Sequence, residues 1–213
     1  MLSITLIIII VTVLISVSGF SREKIIDDLI FYPPAISSRK QYYRFITNGF
    51  IHADIGHLAF NMLSLYLFGQ FVEEKFTEIF GDLGRILYLV MYIIAIAVCL
   101  LPTYLKHKHN YSYRSLGASG AVSAVMFAGL LIAPDVRVSL FFIPIGIPGF
   151  IFGPLYLIIT AYLDKRGGGN INHSAHLWGA VFGLAFVIVL GYAIAGYDAI
   201  GEFVRGVSSY INS

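Results

Sequence analysis

The sequence predicts an all-α polytopic membrane protein: six transmembrane helices forming one bundle, with residues 1–213 as a single membrane domain. Three observations carry that expectation. Of the 213 residues, 58% are hydrophobic. Only 12% are Asp, Glu, Lys or Arg, about half the charged share of an ordinary soluble domain. Those charges are also segregated, because the stretches 1–21, 55–72, 86–105, 115–134, 138–163 and 167–197 contain none of them. An ionised side chain at the bilayer centre costs a few kcal/mol or more, so charge-free stretches of about 20 residues are candidate spans. A net charge of +2 lacks the basic footprint of a nucleic-acid binder. The single cysteine, Cys99 in an apolar run, excludes an intramolecular disulfide framework and a Cys-rich zinc site.

The elements follow in order. The first stretch is strongly apolar and no Lys or Arg precedes it, so it reads as a retained helix rather than a signal peptide. The connection from Ser21 to Ile51 carries many Phe, Tyr and Ile residues and is expected to pack at the membrane interface. The second, third and fourth stretches read as one helix each. The fifth contains Pro144, Pro148, Gly149 and Pro154, so LFFIPIGIP is expected to be a loop or interfacial turn, followed by a helix from about Phe150 to Leu163. The sixth opens with the polar, flexible GGGNINHS, and its helix is expected to start near Ala175.

Within these spans four polar residues stand out, since burying them without partners is costly: His57 and Asn61 in the second, Ser119 in the fourth and His176 in the sixth. All lie near the N-terminal ends of even-numbered spans, which in an antiparallel succession start on the same membrane face. Small residues recur at four-residue spacing as Gly120, Ala124 and Ala128 in the fourth span, and as Ala175, Gly179 and Gly183 in the sixth. Such stripes let two backbones approach closely. Ser119 and His176 could then share a hydrogen bond, and a neutral imidazole can activate a serine hydroxyl near physiological pH. Amides at the start of the fourth helix, with His57 and Asn61 one turn apart, could receive a developing oxyanion. Taken singly, each residue also has a structural reading, as packing or as an interhelical hydrogen bond.

Together these residues resemble the rhomboid family of intramembrane serine proteases. His52, His57 and Asn61 reproduce its H-x4-H-x3-N; Gly117, Ser119 and Gly120 its GxSG; and Ala175, His176, Gly179 and Gly183 its AHxxGxxxG. The resemblance runs from about Tyr43 to Tyr192 and implies a rhomboid-like bundle. It implies Ser119 as nucleophile, His176 as general base, and His57 and Asn61 as oxyanion stabilisers. His52 resembles a structural histidine at the loop end, and Glu73 the acidic residue closing the second helix. Tyr43 and Arg44 stand where the family often has Trp-Arg, and Trp178 where it often has a small residue.

The resemblance implies a serine endopeptidase, with no cofactor and no metal, that cleaves transmembrane segments of membrane-protein substrates in the lipid bilayer. Substrates would come in laterally near the fifth helix, with 167–174 as a lid. Two alternatives are a catalytically inactive rhomboid-like protein that binds membrane clients, and a metal-binding or transport protein using His52, His57, His173 and His176. The minimal six-helix form points to a bacterial inner membrane. Lys and Arg number ten on the site-bearing face and four on the other. The positive-inside rule alone would put that face in the cytoplasm, whereas the resemblance puts both termini there.

Overall fold

The computed structural model describes residues 2–140, 143–167, 169 and 171–213. Helix α1 (Ile4–Phe20) begins at Ser3, whose hydroxyl oxygen accepts the Leu6 N–H at 3.2 Å. Its buried face is Thr5, Ile8, Thr12, Ser16 and Gly19, while Ile7, Ile10, Val11, Leu14 and Val17 are exposed. Hydroxyls inward and large apolar side chains outward is the reverse of a helix in water. It is the arrangement expected where lipid is the solvent.

The first connection folds into α2 (Glu23–Leu29), α3 (Pro33–Arg39), α4 (Arg44–Thr47) and a 3-10 turn, Asn48–Phe50. Arg44 is buried at its centre, donating to the Asp27 and Ile30 carbonyls and to Gln41 Oε1. Phe31 and Ile36, fully buried, pack with Cys99 and Leu100. An antiparallel bridge between Phe31 and Ser115 ties this connection to the segment leading into Ser119.

Helix α5 (Ile55–Phe80) is capped by Asp54, whose carboxylate accepts the His57 N–H at 2.8 Å. A 3-10 turn (Gly81–Leu83) leads into α6 (Gly84–Val98), and α7 (Leu101–His107) follows. The third charge-free stretch is therefore two helices rather than one. Pro102 has no N–H to continue α6 but suits the first turn of a new helix, where that donor is not needed. The helical run Ile55–His107 and α10 (His173–Ala195) are each long and apolar enough to cross a membrane.

Glu73 does not close the second helix, which continues to Phe80. Its buried carboxylate instead accepts from the Ile4 N–H, the Thr5 N–H and the Thr5 hydroxyl at 2.8–2.9 Å, and pairs with Arg85 at 3.3 Å. It thus satisfies orphan amides at the start of α1, where a negative charge also meets the positive end of the helix dipole.

Helix α8 (Ser119–Ile132) runs through the centre, and eleven of its residues are buried. Past it the all-α expectation is corrected. Strands β1 (Arg137–Leu140) and β2 (Ile143–Pro148) form an antiparallel pair, with Arg137 opposite Pro148 and Val138 opposite Ile147. The prolines exclude helix, and the intervening isoleucines favour extended backbone. The loop expectation for this stretch also included Phe141 and Phe142, which lie outside the described residues. Helix α9 (Gly149–Arg166) then runs three residues past its expected end and holds Pro154 inside it. Helix α10 starts two residues before Ala175, because Asn172 caps it by accepting the Ala175 N–H at 3.1 Å. Gly168 and Asn170, in the segment expected to be a lid, lie outside the described residues. A final helix, α11 (Ala199–Ile211), was not anticipated.

Candidate active site

Helices α8 and α10 meet along the two stripes of small residues. A Cβ built on Gly179 would run into the Gly120 carbonyl, and one on Gly183 into the Ala124 carbonyl. This contact brings the first turns of the two helices together. His176 Nε2 lies 2.7 Å from Ser119 Oγ. With the ring proton on Nδ1, Nε2 accepts from the serine hydroxyl, the arrangement a general base requires. Both residues are half-buried, so the pair is open on one side.

Ser119 is the first residue of α8, and its position follows from the turn before it. Gly117 has φ of 116°, and a Cβ there would sit 2.7 Å from His57 Cε1. Only glycine lets the chain take this turn with the imidazole against it. The Gly117 N–H donates to the Asn48 carbonyl at 2.9 Å. Gly120 is as constrained, since a Cβ would meet Cys99 Sγ at 2.5 Å.

His57 stands beside the turn, its ring over Gly117. Asn61 is buried, and its amide donates to the His57 carbonyl at 2.9 Å, which leaves its second N–H uncommitted. His52 is fully buried, edge-on to His57 with ring centroids 4.9 Å apart. Its Nε2 accepts the Ala118 N–H at 3.4 Å, and its Nδ1 faces Ser16 Oγ at 3.0 Å. Both ring nitrogens thus have protein partners, which takes His52 out of any ligand set with His57, His173 and His176. Among the described residues no three His, Cys, Asp or Glu side chains are grouped to hold a metal ion.

A cavity of about 20 Å³ adjoins Ser119, lined by residues that include Asn48, Cys99, Gly117 and Asn172. That is room for about one water molecule. Asn172 Nδ2 is buried without a protein partner, while its Oδ1 accepts from Thr103 and from the start of α10. Trp178 is exposed on the outside of α10 and does not crowd α8.

Residues 39–193 match the Rhomboid domain family. The chain belongs to this family. A rhomboid domain implies a polytopic helical membrane fold, so the protein is an integral membrane rhomboid. It is 35% identical over 145 residues to RHOMBOID-like protein 12, mitochondrial, of Arabidopsis thaliana, covering 63% of this chain and 42% of that protein. Rhomboid-like protein 11, chloroplastic, of the same plant is 32% identical over 158 residues, covering 70% and 52%. Rhomboid protease GlpG of Haemophilus influenzae is 27% identical over 163 residues, covering 74% and 76%. The chain thus spans about half or less of the length of the two plant rhomboids. Helices α1 and α11 lie outside the residues that match the rhomboid domain.

Sequence reasoning missed Ser16, Asn48 and Asn172, which support the site from outside the three motifs. The signal for Ser16 was present: Thr5, Thr12 and Ser16 are spaced to share one face of an otherwise apolar helix.

Proposed function

We propose that this rhomboid is an intramembrane serine endopeptidase that cleaves transmembrane segments of membrane proteins. The observation that supports it most is the 2.7 Å approach of His176 Nε2 to Ser119 Oγ, with both residues half-buried. In this reading the hydroxyl attacks the scissile carbonyl carbon as its proton passes to His176. The oxyanion is met by backbone N–H groups at the start of α8 and by His57 and the free N–H of Asn61. Collapse expels the amine, which takes the proton from His176. A water molecule, activated by the same imidazole, then hydrolyses the acyl-enzyme, and the cavity beside Ser119 is suited to deliver it.

The substrate helix must unwind for its carbonyl to be reached, so small or helix-breaking residues at the cleavage site would favour turnover. We read residues 1–213 as one domain, with α1, α5, the α6–α7 pair, α8, α9 and α10 as its six spans. The relatives' names include mitochondrial, chloroplastic and bacterial proteins, so a bacterial cell membrane rests on the six-span count. The client-binding alternative is less favoured because the serine and histidine are both present and hydrogen-bonded.

The experiment is cleavage of a transmembrane test substrate in liposomes, with fluorophosphonate labelling in parallel. Wild type should cleave and label, and Ser119→Ala should do neither while melting at the wild-type temperature. Normal turnover by Ser119→Ala, or an unreactive wild type, would overturn the proposal.

A further inference from the structure

Helix α11 has three distinct faces. Ala199, Phe203, Gly206 and Tyr210 recur at intervals of four, three and four residues and face the body of the protein. Ala199 is buried, and Phe203 packs on the core. A Cβ on Gly206 would meet Pro134 Cγ at 2.8 Å. The Tyr210 ring lies 5.4 Å from that of Phe150, and its hydroxyl accepts from Arg137 at 2.8 Å. A second stripe, one residue further round, is Ile200, Val204 and Ile211, which are 56%, 55% and 70% exposed. The remaining arc holds Glu202, Arg205, Ser208, Ser209 and Asn212. Beside the docked face, then, one flank is apolar with nothing among the described residues covering it, and the other is polar.

Where α11 lies decides what covers the apolar flank. Three residues separate α11 from α10, with Gly196 in the left-handed conformation ending that helix. α10 is long and apolar enough to cross a membrane, and its last turns expose Val189, Tyr192 and Ile194. A helix that starts at the end of a membrane-crossing one, then turns back against Pro134 and the base of β1, lies at the membrane boundary. There a helix with one apolar and one polar flank is stable lying in the plane, with apolar side chains among the acyl chains and polar ones in water.

We infer that α11 is an interfacial helix whose Ile200, Val204 and Ile211 flank is covered by the lipid bilayer. This rests on the membrane embedding that comes with family membership, not on the proteolytic reading. The contact is apolar rather than electrostatic: α11 contains no lysine, and its one arginine is paired with Glu202 at 2.7 Å. Through Arg137 and Phe150, the lipid-seated helix braces β1 and the start of α9.

The test places a nitroxide label on a single cysteine in the full chain carrying Cys99→Ser, reconstituted in phosphatidylcholine vesicles. Positions 200, 204 and 211 are compared with 202, 208 and 209 for collision with oxygen, which concentrates in lipid, and with a water-soluble nickel chelate. The first set should be several-fold richer in oxygen collisions and poorer in nickel collisions than the second, and the pattern should persist when phosphatidylglycerol is added. Equal nickel access at both sets would overturn the inference. So would exclusion of both reagents from 200, 204 and 211, which would mean protein cover, and spin–spin coupling would then identify a second copy. A contrast that arises only with anionic lipid would also overturn it. If labelling at 200 disturbs folding, positions 204 and 208 carry the comparison.

Discussion

Ser16 Oγ in α1 lies 3.0 Å from Nδ1 of His52, and the serine hydroxyl donates to the Phe50 carbonyl at 2.9 Å. With that hydroxyl proton committed, Nδ1 must be the donor and carry the ring proton. His52 Nε2 is then free to accept the Ala118 N–H. A residue of the first helix, outside the segment that matches the family, thereby fixes the tautomer that holds the residue before Ser119.

Ser16→Ala leaves the His52 Nδ1 proton buried without a partner, a loss of about 1–3 kcal/mol. A lower melting temperature and slower cleavage are expected together, with nitrogen NMR of His52 reporting a mixture of tautomers in place of one. A single unchanged tautomer in the variant would show that the serine does not set it.

Burial pushes the His52 pKa down to about 4, with His57 adding to the effect and Asp54 opposing it. The unfolded chain therefore binds the extra proton between about pH 6.5 and pH 4 while the folded protein does not. Stability contributed by the neutral ring is present above about pH 6.5 and is lost as pH falls toward 4. His52→Gln should flatten this dependence by at most about 1.4 kcal/mol per pH unit. Thermal melts of both proteins across that range measure it, and identical slopes would contradict it.

Glu73→Gln removes the charge that pairs with Arg85 and receives the first amides of α1. Breaking a buried pair typically costs about 3–5 kcal/mol, and the half-exposed Arg85 puts this case at or below the lower end. Faster proteolysis near α1 and a lower melting temperature are expected, and unchanged values would mean that α1 is held by packing alone.

Gly179→Val and Gly183→Val insert side chains where Gly120 and Ala124 carbonyls already sit. Overpacking costs about 1–3 kcal/mol or more, and a shift of about 1 Å at a catalytic group can cost on the order of a hundredfold in rate. Both variants should lose activity and stability together, whereas Ser119→Ala should lose activity alone. Wild-type melting and turnover in the valine variants would separate the stripe from the site.

His176→Ala should be as inactive as Ser119→Ala. His57→Ala and Asn61→Ala should retain weak cleavage, since one oxyanion donor is worth about 2.7–4 kcal/mol. A kinetic comparison in one lipid composition decides the ranking, and a dispensable His176 would reverse the assignments.

The Ser119–His176 hydrogen bond was legible because the motifs that carry it set residue types at fixed spacing. Ser119 and His176 sit on small-residue stripes whose four-residue period survives any detail of the loops. Charge-free stretches likewise located α1, α5, α8 and α10, since lipid excludes charge without regard to tertiary contacts. The misses have the opposite origin. The β1–β2 pair was expected as a loop or interfacial turn, because Pro144, Pro148 and Gly149 argue against helix without showing that two segments pair as strands. The extensions of α5 and α9 contain Glu73, Glu74, Lys75, Asp164, Lys165 and Arg166, so a rule based on charge ended these helices early. Helix α11 was hidden because its apolar residues are interleaved with Glu202 and Arg205. The hydrogen bond from α1 to His52 links residues 36 apart in sequence, beyond the reach of local spacing.

The anchoring of α1 on Glu73 bears on how far this protein can be cut down. A fragment starting at residue 39 would keep Ser119, His176 and every motif of the family, yet it would have lost the amides that Glu73 binds and the hydroxyl that His52 faces. Two buried polar groups of the retained chain, the Glu73 carboxylate and the His52 ring, would then be short of partners. The stretch that identifies the family therefore leans on the first helix for its polar partners, and a graft or minimal design has to carry that helix along or replace those partners.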